Sequence, residues 1–428
     1  MIDGLILFFQ IFGAVSFVGV ILILFSNIGD RPRRYKTTSD LFVEDPDFLS
    51  MISRTVHASL EMGGKVEILN NGEFFDQLFA ACKTAKRHIH IAVYIWQEGK
   101  VANKLLEIFK KKLAEGVEVR LLVDSFGAGT SLMDEFAALE QHGAKIIRFR
   151  TFRIGKLSRA HRRNHRRAII IDGSLGFTGG MAMKDAWLGN ASNPKEWRDM
   201  MFRLTGPMAR SLQSAFADVW ANASGEVLTG EEYYPSKFRN FQDIPNIPFI
   251  HLVSSPSPDT QPIPLFWWLS LMAAQKSIYL TTPYFIPDKH ELLALGRQAL
   301  KGLDVRLILP GENIDASPIR WVSHKYYDTL LRAGVKIYEY EPTFIHSKYI
   351  VIDGIWSIIG SANFNNRSAD LDEENIFGIQ DQKLGGELVQ TFFEDLKHAR
   401  EIKLEDWKKR SIFIKLNEWF WWLFAKQF

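Results

Sequence analysis

Apolar positions fall into three regimes along the chain. Gly4 to Ser26 is a nearly unbroken apolar run in which Gln10 alone is strongly polar. A run of about 20 residues spans a bilayer as one helix. It has no basic start and no small-residue cleavage site, so residues 1–27 read as an uncleaved membrane anchor rather than a signal peptide. Arg31, Arg33, Arg34 and Lys36 follow at once. By the positive-inside tendency this places the catalytic part on the cytoplasmic side of the inner membrane. Residues 28–60 are polar and read as a linker.

From 61 to 402, short strand-like runs alternate with helical stretches such as Ala102 to Ala114 and His324 to Arg332. That alternation predicts an α/β fold with a central sheet covered by helices. The pattern occurs twice. GVEVRLLVD at 116–124 parallels GLDVRLILP at 302–310, and HGAKIIRFR at 142–150 parallels AGVKIYEYE at 333–341. The offsets are roughly 180 to 190 residues throughout, so the chain carries an internal duplication, 61–240 and 241–402. A Pro/Ser-rich loop covers 255–264, and Phe266-Trp267-Trp268 beyond it reads as core, with lipid contact near the site mouth as the alternative. The third regime is the tail, 403–428. It interleaves Lys408, Lys409, Arg410, Lys415 and Lys426 with Trp419, Phe420, Trp421, Trp422 and Phe424. It is too short and too charged to span a bilayer, and its Trp/Lys mixture suits a membrane interface.

Composition narrows the class. A chain of 428 residues buries a large core and accommodates two fused repeats. A formal net charge of +3 argues against a dedicated nucleic-acid binder. The single cysteine, Cys82, excludes an intrachain disulfide framework. No Cys/His cluster has zinc spacing, and no metal or other cofactor is expected. His88 and His90 share a face of a predicted strand and read as ordinary sheet residues.

The chemistry lies in a short pattern present in both repeats. One copy is His346-Ser347-Lys348, four residues, then Asp353; the other is His165-Arg166-Arg167, four residues, then Asp172. Each histidine and cation stand two apart before a β-branched run. On a strand they face the same way and reach one ligand together. Asp353-Gly354 ends the strand in a turn, and a carboxylate near a histidine fixes its tautomer. Gly360-Ser361-Ala362-Asn363 follows, with small residues for close backbone approach to an anion and Ser and Asn for neutral hydrogen bonds. In the first copy Arg166 and Arg167 end a basic heptamer, HRRNHRR, whose Arg162 and Arg163 would attract anionic headgroups.

Paired H-x-K-x4-D motifs with a trailing G-S-x-N resemble the signature of the phospholipase D superfamily. More narrowly, the chain is similar to bacterial cardiolipin synthases and their relatives. Matching stretches include NNGEFFDQLF near residue 70, AVYIWQEG at 92–99, EWRDMMFRLTGP at 196–207, TTPYFIPD at 281–288 and GSANFNNRSADLDEEN at 360–375. The first copy departs twice: Arg167 stands in place of Lys, and Ala182 where the Asn would fall. The resemblance implies two phospholipase D-like α/β repeats related by a pseudo-twofold axis, with one shared active site. It implies a phosphatidyltransferase that joins two phosphatidylglycerol molecules into cardiolipin through a phosphohistidine and releases glycerol. His165 would be nucleophile and His346 general acid/base, an order the residue types alone leave open. Arg167 and Lys348 would hold the phosphoryl oxygens, and Ser361 and Asn363 would hydrogen-bond the phosphate. Asp172 and Asp353 would orient the histidines, with Glu374 as a further orienting acid. The expected partners are phospholipid and membrane, with no nucleic acid and no obligate protein partner. Phosphatidylethanolamine, another alcohol or water are alternative acceptors. The rival readings are a phospholipase D-type hydrolase or nuclease and a catalytically impaired lipid-binding relative.

Overall fold

The computed structural model describes residues 2–25, 35–130, 132–150, 162–236, 244–255 and 261–428. The first half contributes α1 (Ile2–Phe25), α2 (Phe48–Thr55), β1 (Ser59–Met62), β2 (Lys65–Asn70), α3 (Glu73–Thr84), β3 (His88–Val93), α4 (Lys100–Ala114), β4 (Glu118–Asp124), α5 (Met133–Gln141), β5 (Lys145–Phe149), β6 (Arg163–Asn164), β7 (Ala168–Ile171), β8 (Leu175–Gly179), β9 (Met200–Thr205) and α6 (Pro207–Ser224). The second contributes β10 (Pro248–Ser254), α7 (Pro262–Met272), β11 (Ser277–Thr281), α8 (Lys289–Leu300), β12 (Asp304–Pro310), α9 (Ser317–Arg332), β13 (Lys336–Tyr340), β14 (Tyr349–Ile352), β15 (Trp356–Gly360), α10 (Asn366–Asp370), β16 (Asp372–Gln380), α11 (Gln382–Leu396), β17 (Ala399–Ile402), α12 (Leu404–Lys408) and α13 (Ile412–Trp422).

Each half builds its own sheet around the apolar runs. β7 and β14, the Ala-Ile-Ile-Ile and Tyr-Ile-Val-Ile segments, are fully buried central strands. Among the described residues the first sheet runs β2-β9-β8-β7-β3-β4-β5, and the second contains the path β1-β10-β16-β15-β14-β11-β12-β13-β17. The shared core of both is one pattern. Two parallel pairs (β3-β4-β5; β11-β12-β13) join antiparallel hairpins (β7-β8-β9; β14-β15-β16). Gly116 and Gly302, which close the helices before β4 and β12, sit at φ 83° and 95°. A residue with a Cβ is strained there, so the same helix-to-strand turn is coded twice.

Among the described residues three large apolar clusters fill the molecule, with a small fourth around Ile286, Ile319, Val322 and Ala425. One lies on the outer face of each sheet. The third joins the inner faces of both sheets through α6 and α11. Phe266, Trp267 and Trp268 lie in the outer cluster of the second half, as core residues. His88 and His90 are buried in β3, their rings stacked 4.3 Å apart.

Two expectations are corrected. The segment read as a linker carries α2 and β1, and β1 pairs antiparallel with β10 in the second sheet. Val43, Phe48, Ile52 and Val56 bury themselves in the second half's core. Polar residues between those four obscured an amphipathic pattern. The expected single-pass anchor is not found. Ile2–Phe25 is one helix, but among the described residues no helix is long and apolar enough to cross a membrane. Arg31, Arg33, Arg34 and residues 256–260 of the Pro/Ser-rich loop lie outside the described residues.

Candidate active site

The two histidines are placed by a reciprocal exchange between the halves. β6 leaves the first half and pairs in parallel with β16 of the second, Asn164 opposite Glu373. His165 N then donates to Glu373 O at 3.0 Å. In mirror fashion Arg198 forms a parallel bridge with Ile345, and His346 N donates to Arg198 O at 2.7 Å. In both cases the residue before a histidine pairs with the residue before an acid. Histidine and acid therefore emerge side by side. His165 Nδ1 lies 2.8 Å from Glu374 Oε1, and His346 Nδ1 lies 2.6 Å from Asp199 Oδ2. With the carboxylate on Nδ1, each ring keeps Nε2 for chemistry.

Asp199 and Glu374 are structural equivalents. Gly179 pairs with Met201 and Gly360 with Ile376, so each acid stands two residues before the partner of the glycine that ends β8 or β15. Their neighbours differ. Asp199 accepts from Trp187 Nε1 at 2.9 Å and from Met200 N at 2.7 Å. Glu374 accepts from the hydroxyls of Ser361 and of Ser368, the latter at 2.6 Å. Burial pushes both carboxyls up to about 7.

The cations follow the same symmetry. Arg167 Nη1 donates to His165 O at 2.6 Å, and Lys348 Nζ donates to His346 O at 2.9 Å. Lys348 Nζ also lies 3.0 and 3.2 Å from the two ring nitrogens of His346. All four side chains are buried. Burial, and then the charges of Arg167 and Lys348, push both histidines well below their ordinary range. Burial pushes Lys348 down to about 7. Arg167 Nε is buried with no partner among the described residues. Tyr94 stands 5.6 Å from the His165 ring and Tyr284 6.2 Å from the His346 ring, centroid to centroid. Trp187, Trp197 and Phe344 complete a wall around His346.

Three sequence expectations change. Asp172 and Asp353 do not touch the histidines. Asp172 accepts from the backbone N–H groups of Lys86, Arg87 and His88, and Asp353 from those of Gln275, Lys276 and Ser277. Each clamps the start of the neighbouring strand from the far end of β7 or β14. Seven residues of extended chain span roughly 20 Å, far beyond hydrogen-bond reach. Ser361 spends its hydroxyl on Glu374 and Asn375 rather than on an open anion site. Asn363 stays close, its N–H bonded at 3.0 Å to Ser368 Oγ, which itself donates to Glu374. Of the two arginines expected to attract headgroups, Arg163 lies 4.0 Å from the buried Asp124 carboxylate and over the ring of Phe126, so it is not a free headgroup cation.

Asp199 was missed by sequence reasoning. It lies inside EWRDMMFRLTGP, but 20 residues after Gly179, where Glu374 lies 14 after Gly360. The signal is strand register, not spacing. His165, Asp372 and Glu374 also bring ligand-type atoms within 4.8 Å of one another, the spacing of a metal site. Here Asp372 is paired with Arg367 at 3.1 Å, and both Glu374 oxygens are taken by hydroxyls and His165. Glu374 is thus spent on protein partners, while Asp372 Oδ1 is buried with no hydrogen-bond partner among the described residues.

The family model described as "Cardiolipin synthase, PLD-like domain" matches residues 78–220 and 270–396, once in each half. Cardiolipin synthase 1 of Bacillus cereus is 34% identical over 364 residues, covering 83% of this chain and 70% of that protein. A cardiolipin synthase of Geobacillus sp. strain WCH70 is 33% identical over 372 residues, covering 86% and 74%. Among solved structures, phosphatidylserine synthase of Haemophilus influenzae superimposes with a TM-score of 0.64 at 14% identity, over 88% of this chain and 97% of that one.

Proposed function

The chain belongs to the cardiolipin synthase family of phospholipase D-like proteins, and on that premise we propose that it is a phosphatidyltransferase that makes cardiolipin from phosphatidylglycerol. The observation that carries the reading is the reciprocal pairing of each buried histidine with an acid from the other half, above one cation apiece.

The arrangement suits a two-step substitution. His165 Nε2 attacks the phosphorus of one phosphatidylglycerol, and the bond from phosphorus to the glycerol oxygen breaks. His346, an imidazolium for this step with its Nδ1 proton on Asp199, gives its Nε2 proton to that oxygen, and glycerol leaves. His346 then takes the proton of a hydroxyl on a second phosphatidylglycerol. That oxygen attacks the phosphorus, the P–N bond breaks, and His165 is restored. Arg167 and Lys348 balance charge on the non-bridging oxygens as it develops. Glu374 holds His165 in the tautomer that leaves Nε2 free to attack, and Asp199, on Nδ1 of His346, leaves Nε2 of that ring to carry the second proton. Lys348, against the ring of His346, supports the proton-handling role there, and the permanently charged Arg167 supports phosphoryl binding beside His165. Asn363 supplies a neutral hydrogen bond to the phosphate. Asp172 and Asp353 are excluded from the chemistry.

The substrate lies in a bilayer, and α1 is the segment that meets the surface of it. Its described large apolar side chains, including Phe9, Phe12, Val15 and Phe17, are all exposed. The basic run after it keeps the catalytic part on the cytoplasmic side. Protease accessibility in sealed membranes tests that orientation.

The activity is tested with the full chain in detergent–phosphatidylglycerol micelles, with products resolved by mass spectrometry. Cardiolipin and glycerol from the parent protein, and none from His346→Ala, is the expected result. Phosphatidic acid alone would make water the acceptor and the protein a hydrolase. No product with phosphatidylglycerol, phosphatidylethanolamine or other alcohols would leave a lipid-binding relative.

A further inference from the structure

We infer that α13 is a bilayer-docking helix that sets the mouth of the histidine site against anionic lipid headgroups, an inference resting on the phosphatidyltransferase reading above.

One face of α13 is bound to the domain. Glu418 is buried and lies 3.2 Å from His324 Nδ1, while His324 Nε2 lies 3.1 Å from Glu339. Arg410 pairs with the same Glu418. Beyond it, Trp421 and Phe428 pack with Tyr284 around Ile286, Ile319, Val322 and Ala425. Tyr284 is the ring beside His346. Phe428 O accepts from Asn365 Nδ2 at 2.6 Å, and Asn365 caps α10, the helix that carries Ser368. The tail is therefore joined to the edge of the site, not hung away from it.

Among the described residues nothing covers the opposite face. Ile412, Phe413, Leu416, Trp419 and Phe420 are 49% to 79% exposed. Their spacing puts them on a single stripe of the helix. Outside α1 and α13, which also exposes Trp422, the exposed large apolar side chains of the described residues lie singly or in twos along the chain. Such a stripe calls for an apolar phase. Charge selects which one. Between Lys403 and Lys426 there are six cations and three acids, and one of the acids, Glu418, faces inward. A twofold pairing of α13 with a second copy would bring these cations together, whereas an anionic lipid surface neutralises them. Exposed aromatic side chains beside exposed Lys408, Lys409 and Lys415 match an interfacial helix lying in the headgroup plane.

The test uses the buried Cys82, whose thiol burial pushes up to about 12 and so leaves unreactive. Leu416→Cys, and as control the exposed Glu107→Cys on α4, each carry one environment-sensitive fluorophore on the full chain in phosphatidylglycerol vesicles. The probe at 416 is expected to shift to the blue and to lose about half its intensity when brominated lipid replaces the ordinary lipid, with the probe at 107 unchanged. Equal, aqueous behaviour at both positions overturns the inference. So does a shift at 416 that depends on protein concentration and not on vesicles, which would make the stripe a contact between copies. A Phe413→Asp, Phe420→Asp double variant adds the link to catalysis. Turnover of vesicle phosphatidylglycerol is expected to fall about tenfold, with turnover of a short-chain, monomeric phosphatidylglycerol unchanged. An equal fall on both substrates would make the stripe a folding element and overturn the inference. If the parent protein turns over neither substrate, the transferase reading fails, and the quenching result still decides docking.

Discussion

The two halves of the site hold the same parts in different chemical dress. Around His165 stand Arg167, Glu374 and two serine hydroxyls; around His346 stand Lys348, Asp199 and an aromatic wall. The difference has a steric origin at the glycine turns. Gly180 occupies the place of Ser361, and a Cβ there would come within 2.2 Å of the Asp199 carboxylate. The short acid sits close in and needs the bare glycine. The longer Glu374 reaches over a serine and is held by it. Ala182 belongs to the same exchange: it is fully buried in the first half's core, whereas Asn363 keeps a polar neighbour of Glu374. The departures in the first motif therefore go with a different way of holding an acid, and the histidine–acid pair itself is intact.

Loss of either histidine is the largest blow to this pairing. His165→Ala and His346→Ala should each lower cardiolipin formation by about a thousandfold or more, and the double variant should be scarcely worse, because the two act as one unit. An alkaline quench should place a labelled phosphatidyl adduct on His165; an adduct on His346 would reverse the roles of the halves. Next come the acids. Asp199→Asn and Glu374→Gln should each lower kcat about a hundredfold with KM little changed, since an amide no longer fixes the working tautomer. A loss at Glu374 alone would deny the equivalence. Gly180→Ser should cost about tenfold by displacing Asp199, while Ser361→Gly, which only frees Glu374, should cost less.

The cations separate the halves by pH. With Asp199 and Glu374 near 7, activity falls as pH drops through that value and the carboxylates take up protons. With Lys348 also near 7, activity falls again as pH rises and the ammonium is lost. A narrow maximum near neutrality is expected. Lys348→Arg should move the alkaline limb upward, because a guanidinium keeps its charge. Arg167→Lys should leave the limb assigned to Lys348 in place. The smallest effect on chemistry belongs to Asp353→Asn. It weakens three backbone hydrogen bonds and should cost about 1 to 3 kcal/mol of stability, read in thermal unfolding, with kcat unchanged.

Much of this was legible in the residues. The duplication, the α/β alternation and both histidine–cation pairs depend on spacings within a few residues, and local periodicity records such spacings faithfully. Asp199 was not legible, because a loop and the short turn Asp185–Trp187 lengthen its separation from Gly179. Only strand register reveals that it matches Glu374. Asp172 and Asp353 misled for the opposite reason. Their spacing from the histidines repeats, but the shared demand is a left-handed turn, φ 54° and 57°, that caps a strand start. The second half's use of α2 and β1 was equally hidden, since pairing across nearly 200 residues leaves no mark in local pattern.

The exchange of β6 into the neighbouring sheet has a consequence for ancestry and for fragments. Neither half owns a complete histidine–acid pair, so a severed half, however well folded, carries no working set. Two identical chains meeting about a twofold axis could build such a site, but every substitution would then strike both positions at once. A single chain is free of that constraint. Here the freedom is visible as Arg against Lys, Asp against Glu and Gly against Ser, each pair diverging while the handshake between the halves is kept.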